Sequence, residues 1–134
     1  MTHYWPMATF RIDQRGSAAA EFALVLPIFC LIVFGLIQLG ILYNANAGLA
    51  HGLGEGARYA TLYPRHTPIE IQDRIRAAVF GINGTFLAPP VITYGISQGV
   101  EYADISVTYY APVAGGAIGL PPIILTKARR AYLP

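Results

Sequence analysis

The sequence predicts an α+β protein in which a long N-terminal transmembrane helix continues into a small extracytoplasmic domain. Three features indicate this fold: a long charge-free apolar run, one amphipathic helix with clear start signals, and a strand-rich last third. The expected domain has one amphipathic helix and a roughly three-stranded antiparallel sheet. With 134 residues, the chain has room for this small domain and one anchor.

The composition points to a bilayer and excludes several classes of partner. The chain is 54% hydrophobic and 12% charged, which is about half the charged share usual in soluble domains. The net charge is +2 and the nine Lys and Arg residues form no dense cluster, so we expect no nucleic-acid partner. Cys30 is the only cysteine and lies in an apolar stretch, where we expect it to act as a packing residue.

The apolar run has the length of a membrane span. No Asp, Glu, Lys or Arg occurs from Phe22 through Gly54, and residues 22–43 are nearly all apolar. A bilayer core needs about 20 such residues, and membrane helices tolerate a proline such as Pro27, which we expect to kink the helix. Arg11 and Arg15 precede the run, which predicts a cytoplasmic N-terminus and an external remainder.

A cleaved secretory signal peptide is the alternative interpretation of this segment. Ala45-Asn46-Ala47 resembles the small-residue cleavage site of such peptides. The apolar run is longer than the roughly 7–15 residues of a typical signal core, and Glu21 at its head also argues against this interpretation.

Small residues recur at four-residue spacing beyond the apolar run. These are Gly48, Gly52, Gly56 and Ala60. If the helix continues past Tyr43, this spacing places them on one face, where another backbone can approach closely. Three glycines cost a helix about 1 kcal/mol each, so the pattern indicates either a helix-packing seam, which we favour, or a flexible stretch. The segment 64–68, with a proline at each end, should end the helix.

A second helix has clear start signals. Thr67 is suited to the N-cap, Pro68 to the first helical position, and Glu70 to a capping box. An apolar stripe follows at Ile71, Ile75, Ala78, Val79 and Ile82. Gly81 and Asn83-Gly84 are expected to stop the helix.

The last third of the sequence predicts strands. Residues 104–109 alternate, with Ile105, Val107 and Tyr109 on one face. Residues 91–96 form a plausible partner through a turn at 97–99, and residues 123–132 a third strand.

No motif for catalysis, cofactor binding or metal binding occurs. His3, His51 and His66 stand singly, and the sequence has no H-E-x-x-H, C-x-x-C, P-loop or dinucleotide fingerprint. We therefore expect no metal, no cofactor and no enzyme activity. An enzyme would be supported only if folding brought Glu55, His66 and Asp73 or Asp104 into one pocket.

The junction before the apolar run carries a resemblance. Arg15-Gly16-Ser17-Ala18-Ala19-Ala20-Glu21-Phe22 resembles the class III prepilin junction. The similarity extends through residues 22–27 (Phe-Ala-Leu-Val-Leu-Pro) and again through residues 55–60 (Glu-Gly-Ala-Arg-Tyr-Ala). Both segments are similar to the TadE-like family of minor pilins and pseudopilins from tight-adherence (Flp-type) type IV pilus systems.

The resemblance implies a processed assembly subunit. Gly16 would be the last leader residue and Ser17 the first mature residue, whereas Glu21 and Phe22 would serve assembly. The implied partners are a prepilin peptidase, other pilin-like subunits, the inner-membrane pilus assembly platform and the lipid bilayer. The resemblance implies a bacterial inner-membrane location with a periplasmic C-terminal domain, and a role in pilus biogenesis and cell adhesion.

The predicted divisions are a cytoplasmic leader at 1–16, a transmembrane and assembly helix with its extension at 17–62, and an external domain at 63–134. Cleavage would create an α-amine on Ser17 one helical turn from Glu21. The positive charge of this amine would favour the ionised form of the Glu21 carboxyl group. In the alternative, Glu21 lies at the membrane surface near Arg15 and no processing occurs. Met7 is an alternative start.

A rival interpretation from another class is an unprocessed, single-pass, membrane-anchored binding or interaction protein of the periplasm. Shearing the cell surface discriminates the two, because a filament subunit enters the sheared fraction and an anchored protein stays with the membranes.

Overall fold

The computed structural model describes residues 14–117 and 119–133 and confirms the predicted α+β class. Expectations for Arg11, His3 and the two candidate start methionines lie outside the described residues. The elements are helices α1 (Gln14–Ala60) and α2 (Pro68–Ala78), strands β1 (Val91–Ser97), β2 (Val100–Ala111) and β3 (Ile123–Tyr132), and short 3-10 turns at Gly84–Phe86 and Val113–Gly116.

The packing of the chain divides it into two units, with the boundary between Leu36 and Ile37. The described part of the first unit is helical throughout. The second unit contains the last part of α1 together with α2 and the sheet, so residues 37–60 belong structurally to the α+β domain. The division into leader, anchor and external domain concerns the membrane and stays a prediction.

One core holds the second unit together. Helix α1 contributes a stripe of buried residues at Ala45, Leu49, Leu53 and Ala57, spaced by four. This spacing keeps the four side chains on one helix face. They pack with α2 and with alternate residues of β2, the other core members being Ala60, Ile71, Ile75, Ala103, Ile105, Val107, Tyr109, Ala111, Ala131 and Leu133.

Helix α2 starts as the sequence predicts. The Glu70 amide donates to Thr67 Oγ1 at 3.4 Å, and the Thr67 amide donates to Glu70 Oε2 at 2.7 Å, which completes the capping box. The backbone hydrogen bond from Thr67, more than any other contact, lowers the pKa of Glu70.

Helix α2 ends earlier than the apolar stripe does. Ala78 is its last residue, because Val79 adopts an extended backbone while its amide still donates to the Ile75 carbonyl at 3.0 Å. Gly81 then turns the chain with a φ of +67°, a conformation that glycine adopts without strain. Val79 and Ile82 therefore cover the core from the segment after the helix.

The sheet is antiparallel with strand order β1-β2-β3. The turn between β1 and β2 lies at Gln98 and Gly99, both with positive φ, as the sequence predicted for residues 97–99. Strand β2 is longer than the predicted 104–109, because it is the central strand and is paired at both ends, with Ser97 opposite Val100 and Ile123 opposite Ala111. Its predicted core face is confirmed, since Ile105, Val107 and Tyr109 are all buried.

Candidate functional site

The apolar part of α1 is the feature with the clearest functional meaning. The part of the helix from Ala18 to Ala60 is long enough and apolar enough to cross a membrane. Large apolar side chains are exposed along it: Phe22, Leu24, Val25, Leu26, Ile28, Phe29, Leu31, Ile32, Val33, Phe34, Leu36, Ile37, Leu39, Ile41 and Tyr43. Exposing such a large apolar surface to water is energetically unfavourable, so this part of α1 is suited to anchoring the chain in a membrane.

The exposed stretch changes into a packed stretch within two turns. Tyr43 is 79% exposed, whereas Ala45 and Leu49 are buried against the α+β domain. The second part of α1 is thus a core helix of that domain, and only the part before Ala45 offers a continuous apolar surface.

The junction residues singled out from the sequence lie at the start of α1. Gly16 and Ser17 are in its first turns, and Glu21 and Phe22 follow as exposed residues. Residues 17 and 21 are separated by one helical turn, so their positions fall on the same face of the helix. A Cβ atom built on Gly16 meets no other atom of the described residues within 4 Å, so close packing there does not require a glycine.

The four-residue series of small residues faces α2 and the segment after it. A Cβ on Gly48 would overlap the backbone carbonyl of Phe80, one on Gly52 would overlap Val79 Cγ2, and one on Gly56 would overlap Ile75 Cγ1. Ala60, the last member of the series, is buried. The α1 helix is continuous through all four positions. This series therefore packs α1 against α2 and the segment directly after it, and its surface is already covered.

Ion pairs flank this helix contact. Glu55 Oε2 accepts a hydrogen bond from Arg74 Nη2 of α2 at 3.0 Å, and Glu55 Oε1 lies 4.0 Å from Arg58 Nη1 on its own helix. Glu55 thus links α1 to α2 beside the glycine contacts.

A second, bidentate ion pair lies on the sheet. Arg130 Nε and Nη2 donate to the two carboxylate oxygens of Asp104 at 2.7 and 2.8 Å, and the guanidinium lies 3.8 Å from the centre of the Tyr102 ring. The hydrogen bond from Arg130 lowers the pKa of Asp104, and the same bond raises the pKa of Arg130. This geometry joins β2 to β3.

Three of the residues named for a possible enzyme pocket, Glu55, His66 and Asp104, each make a separate contact. Glu55 pairs with Arg74, whereas Asp104 pairs with Arg130 on the sheet. His66 stacks on the Tyr59 ring at 3.8 Å and lies 3.7 Å from Glu70. Within the described residues, no three His, Cys, Asp or Glu side chains come together as a metal site would need.

Gln38 makes a contact that the sequence reasoning missed. Its Nε2 donates to the Pro112 carbonyl at 3.4 Å, and its Oε1 accepts from the Ala114 amide at 3.3 Å. The segment after β2 is therefore bonded to the apolar run of α1. The signal was present in the sequence, because Gln38 is the only polar residue with a hydrogen-bonding side chain between Phe22 and Tyr43.

Comparison with known proteins supports the resemblance at this helix. The family model described as TadE-like protein matches residues 16–58, which confirms the similarity inferred from the junction and the apolar run. The matched part covers the junction, the apolar run and the glycine series, and it ends before α2 and the sheet. No curated protein and no solved structure matches the chain. The similarity to the TadE-like family is thus shown for this segment of the chain.

Proposed function

We propose, with the TadE-like segment at residues 16–58 as the premise, that this chain is a minor pilin or pseudopilin of a Tad/Flp-type pilus. In this proposal a prepilin peptidase cleaves the chain after Gly16, and the chain assembles through its N-terminal helix. Its action is structural and supports pilus biogenesis and surface adhesion. The observation that carries the proposal is that one family match includes both the Gly16 junction and the exposed apolar helix.

The proposed topology places the leader in the cytoplasm. Arg15 precedes the apolar run, and the next charged residue beyond that run is Glu55, so the positive-inside bias favours a cytoplasmic N-terminus. The α+β domain then lies in the periplasm, and the chain is a single-pass protein of the bacterial inner membrane until it is assembled.

Cleavage after Gly16 gives Glu21 a specific role. The cut would create a positively charged α-amine on Ser17, one helical turn before Glu21. A cation within one helical turn stabilises a carboxylate, and most strongly where the surroundings are apolar, so the new α-amine favours an ordered position of the mature N-terminus. The amine of the same chain or of a neighbouring subunit can fill this role.

The contacts for assembly are expected on the exposed apolar part of α1. The glycine series at residues 48, 52 and 56 is covered by the chain's own α2 and the segment directly after it, so it offers no surface to a neighbour. The apolar side chains from Phe22 to Tyr43 remain exposed and fit other pilin-like helices or lipid. The partners in this proposal are the prepilin peptidase, other pilin-like subunits and the inner-membrane assembly platform.

Shearing of cells that make the pilus tests the proposal. A filament subunit should be recovered in the sheared surface fraction, in a form that requires a functional peptidase. Cells that lack the peptidase provide the control, since the protein should then stay in the membrane fraction. Equal retention in the membranes of both strains would instead favour an anchored interaction protein.

A further inference from the structure

Gln38 binds the segment after β2 at a point on α1 well before the domain core. The first buried residue in the described part of α1 is Ala45, seven residues later. At 1.5 Å per helical residue, the bonds to Pro112 and Ala114 lie about 10 Å nearer the N-terminus than the start of the core. The segment after β2 therefore extends beyond the core along the apolar run.

The bonded residue falls inside the length that a bilayer core requires. Counted from Phe22, about 20 apolar residues reach Ile41, and Gln38 lies within this count. A side-chain amide at that depth is costly unless it is hydrogen-bonded. The backbone of Pro112 and Ala114 supplies one acceptor and one donor to it. The partner segment must then reach the same depth.

The end of the sheet where β2 finishes and β3 begins has the apolar composition expected at that depth. No charged residue occurs from Ile105 through Thr126. Leu120, Ile123 and Ile124 are 53%, 38% and 62% exposed, and we name these three residues the apolar tip. Four charged residues of β2 and β3 lie nearer the opposite end, namely Glu101, Asp104, Arg129 and Arg130, whereas Lys127 lies near the middle of β3, opposite Val107.

We propose that the apolar tip is a second membrane-contact surface, which inserts into the outer interface of the bilayer that α1 spans. The occupant is lipid, because the bonds from Gln38 bring the neighbouring Pro112 and Ala114 to the depth of the apolar run within a single chain. The proposal rests on membrane anchoring by α1 and does not depend on cleavage after Gly16. Two attachment points would restrict the tilt of the domain on the membrane before assembly.

A fluorescent probe on single cysteines tests this surface in the full-length chain. In a Cys30→Ser background, Leu120→Cys and Ile124→Cys place an environment-sensitive nitrobenzoxadiazole dye on the apolar tip. Val100→Cys is the matched control, because Val100 is also an exposed apolar residue of the sheet but lies at the opposite end of β2. The native Cys30 in the unmodified chain reports on the anchor itself. All variants are reconstituted in phosphatidylcholine vesicles.

We expect nitroxide-labelled lipid to quench the dye at positions 120 and 124 several-fold more than at position 100, with iodide in the water giving the reverse order. The proposal would be overturned if iodide quenched the dye at both tip positions as strongly as at position 100. If nitroxide-labelled lipid still quenched the dye at Cys30 in that case, membrane anchoring by α1 would stand. Loss of lipid quenching at Cys30 would overturn the anchor as well. A third outcome is that neither quencher reaches the tip and that this protection weakens when the vesicles are diluted with lipid. This outcome would show that a second copy of the chain covers the tip, and it would also overturn the proposal.

Discussion

Gly52 of α1 and Ile75 of α2 meet at the level of the backbone: a Cβ atom on Gly52 would lie 3.1 Å from the Ile75 carbonyl oxygen. Helices approach this closely only where one of them lacks a side chain. The neighbouring contacts of Gly48 with Phe80 and of Gly56 with Ile75 continue the same approach. The fold of the domain therefore depends on glycines that helix propensity alone would disfavour.

Replacement of Gly48 by alanine should destabilise the domain. The added methyl group would overlap the Phe80 carbonyl, which is backbone and cannot move aside as a flexible side chain can. Such overpacking typically costs about 1–3 kcal/mol, against a gain in helix propensity of about 1 kcal/mol. We expect a lower unfolding temperature for Gly48→Ala in detergent micelles.

The control for this substitution is Gly40→Ala. A Cβ on Gly40 meets nothing within 4 Å, so this variant should be as stable as the natural chain or slightly more stable. Equal unfolding temperatures for the two alanine variants would contradict the close contact of α1 with the chain after α2.

The ion pair between Glu55 and Arg74 should contribute modestly. Both side chains are partly exposed, at 27% and 51%, and pairs of this kind usually contribute about 0.2–1 kcal/mol. A double-mutant cycle with Glu55→Gln and Arg74→Gln should give a favourable coupling energy in this range from thermal unfolding. The same cycle with Arg76→Gln, on the exposed surface of α2, should give no coupling. A coupling with Arg76 as large as with Arg74 would refute the assigned pair.

The elements of the fold were predictable where local signals are strong. The capping box at Thr67 and Glu70, the alternation of residues 104–109 and the turn at Gln98-Gly99 each depend on residues close in sequence. The ends of α2 and β2 were less predictable. Helix α2 stops at Ala78 because of the backbone at Val79, and β2 is extended by its partners on both sides, which no local pattern records.

The ion pair on the sheet should make stability depend on pH in acid. Arg130 holds the pKa of Asp104 below its ordinary value of 3.8 in the folded chain. The contribution of the Asp104 carboxylate to the free energy of unfolding is therefore fully present above pH 3.8. It is lost as the pH falls through the lower folded-state pKa. The stability difference between the natural chain and Asp104→Asn should shrink over that interval in an acid series of thermal scans.

The pH dependence of the Asp104→Asn effect should vanish when the Arg130 guanidinium is removed. In an Arg130→Gln background the hydrogen bonds that lower the pKa of Asp104 are gone. The effect of Asp104→Asn should then no longer change between pH 3.8 and more acid conditions. An unchanged pH dependence in this background would show that another group is responsible.

Glu21 should matter for assembly more than for insertion. The Glu21→Gln variant keeps the shape of the side chain and removes the charge that would pair with a new α-amine on Ser17. We expect normal recovery in the membrane fraction and a large loss from the sheared filament fraction. Glu55→Gln is the matched control and should assemble normally, since Glu55 pairs with Arg74 inside the domain. Normal assembly of Glu21→Gln would contradict the role given to this carboxylate.

The candidate site was only partly predictable, for a physical reason. The spacing of Gly48, Gly52 and Gly56 indicates a packing surface, but a single sequence does not tell whether the partner is a neighbouring subunit or the chain's own α2. Gln38 gave a weaker signal still, because its partners are backbone groups of Pro112 and Ala114, more than 70 residues away. Contacts between distant segments need the fold before they can be assigned.

The N-terminus of the protein in native membranes tests the central claim most directly. Intact mass and N-terminal sequence should show a chain that begins at Ser17 when the prepilin peptidase is present, and an uncut leader when it is absent. Gly16→Leu should stay uncut, while Gly35→Leu, at another open position of α1, should be cut normally. A chain that keeps residues before Ser17 in cells with active peptidase would contradict the pilin-like function.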